Sequence, residues 1–243
     1  MKENKYDNEQ FFLKYGEMAR SKDGLKGAGE WSELQKILPS FNKKKVLDLG
    51  CGYGWHCKYA IDNGASYVLG TDISHKMLEV AKKKNSDINI EYRCIAMEDL
   101  DFVSESFDII LSSLAFHYVK DFESLITNIS KWIKKDGEFI FSVEHPVFTS
   151  YGSQDWYYDK NGKILHFPVD NYYYEGKRDA IFLGEKVTKY HRTITTYLNT
   201  LLKNGFVFQH IIEPQPPKEM LNINSMKDEM RRPMMLLISV KKK

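Results

Sequence analysis

Cysteine, net charge and long apolar runs are what this chain of 243 residues has least of. Its three cysteines, Cys51, Cys57 and Cys94, are too few and too odd in number for a disulfide framework. Their spacing matches no zinc pattern, so no metal site is expected. Lysine and arginine number 35 against 33 aspartates and glutamates, a formal charge of +2. A dedicated nucleic-acid domain would be far more basic. No apolar run nears the about 18 residues of a membrane span. The candidates at 107–111 and 234–240 have the length of buried strands. The opening Met1-Lys2-Glu3-Asn4-Lys5 lacks the apolar core of a signal peptide, so a cytoplasmic protein without stable membrane insertion is expected. Aromatic residues, by contrast, are plentiful at 14%, and they crowd into residues 147–184.

The middle of the chain has a clear rhythm. Lys45-Val46-Leu47-Asp48-Leu49 is a short apolar run closed by Gly50-Cys51-Gly52-Tyr53-Gly54, the mark of a buried strand and its turn. A helix is expected over 55–63, with Gly64 as its C-terminal stop. A second strand follows over 67–71, closed by Asp72. Ser74 is placed to cap a helix reaching about Lys84. Further strands are expected at 88–95, 107–111 and 138–143. Asp121 should cap a helix before the last of these, and Asp136-Gly137 should form a turn. Strands alternating with helices predict an α/β fold built on a doubly wound parallel sheet. A helix over 185–203 and strands at 206–212 and 234–240 complete the count. The last two strands have no full helix between them, which predicts an antiparallel end to a seven-stranded, Rossmann-like sheet. Residues 1–43 read as an N-terminal helical lid. Residues 44–146 and 185–243 read as the core, and 147–184 as an aromatic-rich insert over the acceptor site.

Glycines at a strand-to-helix turn let backbone approach a ligand closely. The helix that follows offers free N–H groups and a positive dipole end. A dinucleotide fingerprint needs its third glycine where this chain has Trp55, and here the third glycine, Gly54, comes one residue too early. A nicotinamide dehydrogenase is therefore disfavoured. A phosphate-binding Walker loop is excluded, because no Gly-Lys-Ser/Thr follows.

The ordered set of Asp48-x-Gly50-x-Gly52-x-Gly54 and Asp72 resembles the class I S-adenosylmethionine-dependent methyltransferases. The similarity continues in Met97-Glu98-Asp99-Leu100, Phe107-Asp108-Ile109-Ile110-Leu111-Ser112-Ser113 and Leu114-Ala115-Phe116-His117-Tyr118. It covers roughly residues 44–143, and the nearest branch is that of the ubiquinone and menaquinone methyltransferases. The resemblance implies S-adenosyl-L-methionine as cofactor, S-adenosyl-L-homocysteine as product and a small-molecule acceptor. Asp48, Gly50, Cys51, Gly52 and Gly54 would form the cofactor loop, although the Cys51 side chain reads as a space-filler. Asp72 would accept from the ribose hydroxyls and Ile73 would pack on the adenine. Met97 would offer its backbone N–H to the ring edge, while Ser113 and Leu114 would lie under the methionine part. Where the family often has an aspartate for the adenine amino group, this chain has Ala96. Glu98, Asp99 or a backbone carbonyl would then take that role.

Acceptors in such a sheet meet the carboxyl ends of the strands. His117 follows the fourth strand, and Glu144-His145 ends the fifth. These three are the expected catalytic groups, with His117 as general base or acceptor orienter. The alternatives are a protein or nucleic-acid methyltransferase and a cofactor-binding domain without catalysis. The Asn/Asp-Pro-Pro-Tyr/Phe motif of adenine-amino enzymes is replaced here by Ser112-Ser113-Leu114-Ala115.

Overall fold

Apolar residues alternate along the strands and so sort onto two faces of one sheet. The computed structural model describes residues 4–222 and 224–243. After three short N-terminal helices, α1 (Glu9–Gly16), α2 (Ala19–Lys22) and α3 (Trp31–Lys36), the chain enters β1 (Lys45–Leu49). It continues through α4 (Trp55–Asp62), β2 (Tyr67–Asp72), α5 (His75–Lys84), β3 (Ile90–Cys94), β4 (Phe107–Ser113), α6 (Phe122–Trp132) and β5 (Ile133–Glu144). Leu47, Ile110, Phe139 and Phe141 face α6 and pack with its Leu125, Ile126 and Ile129. Val46, Val68, Ile109 and Ile140 face the other way, onto α3, α4 and α5. Several helix starts follow the sequence reading, with Ser74 accepting from Met77 N at 3.2 Å and Asp121 from Ser124 N at 3.0 Å.

The second half holds α7 (Pro146–Ser150), the short strands β6 (Tyr157–Tyr158) and β7 (Ile164–His166), and the hairpin of β8 (Gly176–Phe182) with β9 (Glu185–His191). Then come α8 (Ile194–Lys203), β10 (Phe206–Ile212), α9 (Asn224–Glu229) and β11 (Met235–Lys242). The seven-stranded sheet runs β10-β11-β5-β4-β1-β2-β3. Pairings among β1 to β5 are parallel, while β11 is antiparallel to both β5 and β10. The expected sheet with an antiparallel final strand is therefore present. Strand order reverses between β1 and β4, which puts the ligand crevice at their carboxyl ends.

Two local expectations differ. Residues 185–191 form a strand and not the first half of a helix. Val187, Lys189 and His191 are buried in alternation, a period of two, and the helix begins only after Thr193 caps it by accepting from Thr196 N at 3.2 Å. Asp136-Gly137 is a kink inside β5 and not its boundary. Asp136 takes φ 62, and the β4–β5 register shifts between Phe107 and Ile109.

Three of the ten rings of residues 147–184 gather around one arginine. The Arg232 guanidinium lies 4.5 Å from the Phe148 ring, 4.8 Å from Phe167 and 5.1 Å from Trp156. Tyr157, Tyr173 and Tyr174 are exposed. At the N-terminus, buried Phe11 docks α1 on the β8–β9 hairpin through Ala180, Val187 and Phe182.

The stacked pair Phe139–Phe141, with centroids 4.9 Å apart and neither ring exposed, anchors the α6 face. Phe141→Ala is expected to lower unfolding free energy by about 3–5 kcal/mol, read as a lower urea midpoint at unchanged slope. A loss below about 1 kcal/mol would show that the face repacks freely.

Candidate active site

The turn after β1 adopts backbone that only glycine takes without strain. Gly50, Gly52 and Gly54 have φ of +72, +53 and +75. Close approach adds a second demand at Gly50, where a Cβ would sit 2.6 Å from the Ala115 Cβ. At Gly52 the same position opens on empty space. The turn is tied to β2, since Gly50 N and Cys51 N both donate to Thr71 O, at 2.8 and 2.9 Å. Asp72 completes the tie, its two oxygens accepting from Gly52 N and Ser74 N, each at 2.9 Å. Burial raises the Asp72 carboxyl to about 6.

A cavity opens at this sheet edge, its wall shared by the glycine loop, the ends of β2, β4 and β5, the β8–β9 hairpin and the N-terminal segment. Gly50, Gly52, Asp72, Ile73, Ala96, Met97, Glu98, Ser113 and Leu114 line one half. His117 and Glu144 line the other. Leu114 has φ 52, a left-handed residue that turns the chain after β4 and lets Ala115 reach Gly50.

Four expected contacts, Asp48, Cys51, Gly54 and His145, lie off that wall. Asp48 is buried behind the loop, where its Oδ2 accepts from Cys57 Sγ at 3.3 Å, and burial pushes its carboxyl up to about 7. Gly54 starts α4, and a Cβ there would meet Tyr92 Oη at 2.3 Å. His145 turns away from the cavity. Its Nδ1 accepts from Val147 N at 3.0 Å to cap α7, and its Nε2 lies 2.8 Å from Glu213 Oε1. Cys51 lines a smaller adjoining cavity.

Behind His117 and Glu144 lies a buried network. Lys189 Nζ donates to Glu144 Oε1 at 2.6 Å and to Gln154 Oε1 at 2.7 Å, and Gln154 Nε2 donates to Glu144 Oε2 at 2.7 Å. Burial pushes the Glu144 carboxyl up, but His117, Lys189 and Gln154 outweigh it and hold the group below its usual range. Burial pushes His117 down to about 4 despite the nearby Glu144. Its Nδ1 faces the Glu144 N–H at 3.5 Å, which leaves the proton of the neutral ring on Nε2. In that state His117 donates a hydrogen bond and is a poor base at neutral pH.

Several wall residues gave no local sign in the sequence. Phe182 and Val187 come from the β8–β9 hairpin, Arg20 and Met18 from around α2, and Met234 and Met235 from the start of β11. Tyr6 and Tyr15, expected in the lid, also line the cavity. Tyr6 meets Tyr118 at 3.2 Å between hydroxyls. Asp7 anchors this segment by accepting from Ser74 Oγ at 2.6 Å and Lys76 N at 3.1 Å.

The family model described as a methyltransferase domain matches residues 47–141, from β1 to β5. A candidate S-adenosylmethionine dependent methyltransferase from Listeria monocytogenes is 54% identical, with a TM-score of 0.87 over 90% of this chain and 99% of its own. An S-adenosylmethionine dependent methyltransferase from Mesorhizobium loti is 39% identical, with a TM-score of 0.83 over 90% of this chain and all of its own. The ubiquinone biosynthesis O-methyltransferase of Coxiella burnetii is 30% identical over 62% of this chain and 68% of the relative. The chain belongs to the class I S-adenosylmethionine-dependent methyltransferases, and S-adenosyl-L-methionine is its cofactor. The site suits that molecule, with open space at Gly52, a carboxylate at Asp72 with lone pairs to spare, and an apolar slot at Ile73 and Met97.

His117 makes stability depend on pH. The unfolded imidazole takes a proton near its ordinary 6.5, while the folded one resists until about 4. Stability is therefore lost as pH falls through that window. Between pH 7 and pH 5, His117→Gln should lose about 2 kcal/mol less than the wild-type chain in urea denaturation. Parallel losses would place the His117 ring in contact with solvent.

Proposed function

We propose that the protein transfers a methyl group to a small, uncharged acceptor with an apolar or planar body and one hydroxyl or amine. The observation that carries this reading is the composition of the acceptor half. Tyr6, Tyr118, Phe182, Val187 and Met234 give the wall apolar surface beside His117 and Glu144, and Lys189 pairs with Glu144. That pair sums to zero charge and His117 is neutral, so this part of the wall favours an uncharged acceptor. The β8–β9 hairpin and the N-terminal segment act as the roof, one from each side. Asp72 receives the ribose hydroxyls, Ile73 and Met97 hold the adenine, and Ser113 and Leu114 support the methionine part.

The cofactor supplies a methyl group on a positively charged sulfur, already a good leaving group. What remains for the chain is alignment and exclusion of water, and alignment alone is worth up to about 7–11 kcal/mol. Glu144 keeps lone pairs free to accept from the acceptor's O–H or N–H. His117 Nε2–H donates to the same group or its neighbour, fixing its direction.

Two measurements test this. Asp72 stays protonated below about pH 6 in the free protein, and hydroxyl donors favour its ionised form. S-adenosylhomocysteine should therefore bind about tenfold more weakly at pH 5 than at pH 7, and Asp72→Asn should abolish that slope. A flat profile in the wild-type chain would remove Asp72 from the cofactor. For the acceptor, methyl transfer is screened over neutral phenols, quinols and amines alongside charged analogues, peptides and RNA. Glu144→Gln should lower kcat/KM for the accepted compound by about 10- to 100-fold, with S-adenosylhomocysteine affinity unchanged. Turnover confined to peptide or RNA would overturn the small-molecule reading.

A further inference from the structure

A lysine stands on the inner face of β9, between Val187 and His191, and it is 2% exposed. Taking an ammonium out of water is costly unless its donors find partners. Lys189 Nζ spends two of its three donors on Glu144 Oε1 and Gln154 Oε1, at 2.6 and 2.7 Å. It also lies 5.3 Å from the centroid of the Phe182 ring. Gln154 closes the triangle by donating from Nε2 to Glu144 Oε2 at 2.7 Å. Turned over, its amide would set N–H against ammonium and carbonyl against carboxylate, so the two contacts fix it. Gln154 itself has φ 57, a left-handed conformation that a residue other than glycine holds where its surroundings determine it. Each Glu144 oxygen thus carries one fixed donor and keeps lone-pair capacity open. Glu144 lines the cavity, whereas Lys189 and Gln154 hold it from behind. Phe182 lines the cavity too, so a ligand meets the ring and the carboxylate rather than the ammonium.

Attachment of the hairpin does not account for this lysine. Phe11 already docks on Ala180, Val187 and Phe182, and an apolar residue in place of a buried ion pair often holds a fold as firmly. The charge acts on Glu144. Lys189 from β9, His117 from the turn after β4 and Tyr197 of α8 are the titratable groups coupled to it, and its register partner on β11 is Met235. Burial pushes the Glu144 carboxyl up, while His117, Lys189 and Gln154 pull it down. His117 is itself neutral above about 4, so at neutral pH the opposing charge is that of Lys189.

We propose that Lys189 is a positioning residue for methyl transfer, holding the Glu144 carboxylate in place as the group that receives the acceptor's hydrogen bond. This rests on the reading of Glu144 given under the proposed function. Gln154 sets the direction of the carboxylate, and Lys189 keeps it free of a proton, since a protonated oxygen would donate where the acceptor needs a partner that accepts.

Carbon-13 NMR of the full chain labelled at the glutamate carboxyl reads the group directly, with Glu144 assigned by the signal lost in Glu144→Gln. Lys189→Met should raise the Glu144 titration midpoint by about 1–3 pH units. Lys189→Gln, a second neutral variant that keeps a donor, should do the same. Lys189→Arg keeps the charge and should leave the midpoint below the ordinary 4.5. S-adenosylhomocysteine affinity, read by calorimetry, should stay within about twofold in all three, the sign of an intact sheet edge. For the neutral phenol, quinol or amine returned by the acceptor screen, with cofactor saturating, Lys189→Met should lose about tenfold in kcat/KM at pH 5 and recover to within about threefold of wild type at pH 8. An unmoved midpoint in both neutral variants would overturn the assignment and leave the reading of Glu144 standing. So would an equal loss of rate at pH 5 and pH 8, the mark of a lysine that only pins the hairpin. If Glu144→Gln keeps full turnover, the reading of Glu144 falls and the positioning role falls with it.

Discussion

The carboxylate of Asp72 holds the site together. It sits at the buried end of β2 and receives one N–H from the glycine loop and one from the start of α5. Without it the loop would keep its glycines but lose its register against β2, and the Gly52 amide would face an apolar interior unsatisfied. The arrangement has an energetic cost, visible in a carboxyl raised to about 6 by burial. A ligand that offers hydroxyl donors to this group relieves part of that cost. Under the proposed function, structural and binding roles reside in one side chain, and the loop after β1 and the start of α5 are tied to it.

The sheet supplies half of the cavity, and later or earlier segments supply the rest. β1, β2 and β4 deliver the loop, Asp72 and Ser113 by parallel register alone. Phe182 and Val187 arrive from a hairpin inserted after β5, and Tyr6 and Arg20 from helices that precede β1. These outer parts meet each other as well, since Phe11 of α1 packs on Val187 and Phe182. Motion of either piece therefore moves the other. The outer parts also carry two ion pairs, Lys189 with Glu144 across 45 residues and Arg20 with Glu30 within the N-terminal segment. Buried pairs of this kind are weak evidence for stability, because desolvation offsets most of the attraction. Their place on or behind a cavity wall gives them a better reason to exist.

What was legible in the sequence was whatever local backbone geometry demanded. Glycines at positive φ, the caps at Ser74 and Asp121, and the alternating apolar runs all act over a few residues, so their order revealed the sheet and the loop. What was not legible depended on long-range contact. Lys189 is an unremarkable lysine until the hairpin lays it 2.6 Å from Glu144, 45 residues earlier. Gln154 and Glu30 are the same kind of case. Residues 185–191 were a different failure: of the alternately buried Val187, Lys189 and His191 only the first is apolar, so no apolar alternation marked the strand. His145 was placed by the right rule, the end of a strand, but capping α7 turned its ring away from the cavity.

Charge balance explains why the acceptor side has no strong base. Two cations at or behind the cavity wall are matched by carboxylates: Arg20 pairs with Glu30, and Lys189 contacts Glu144. His117, on the wall, is kept neutral by burial down to about pH 4. A cofactor whose reactive sulfur is itself positive would be repelled by an imidazolium at close range, where water cannot screen the two. A neutral imidazole avoids that repulsion and still offers a proton on Nε2 for orientation. The same burial that makes His117 a weak base thus makes it a compatible neighbour. Under the proposed function, a site organised this way favours acceptors that are nucleophilic enough to react when aligned, and it would leave proton removal to the moment of transfer, with the carboxylate of Glu144 as the group to receive it.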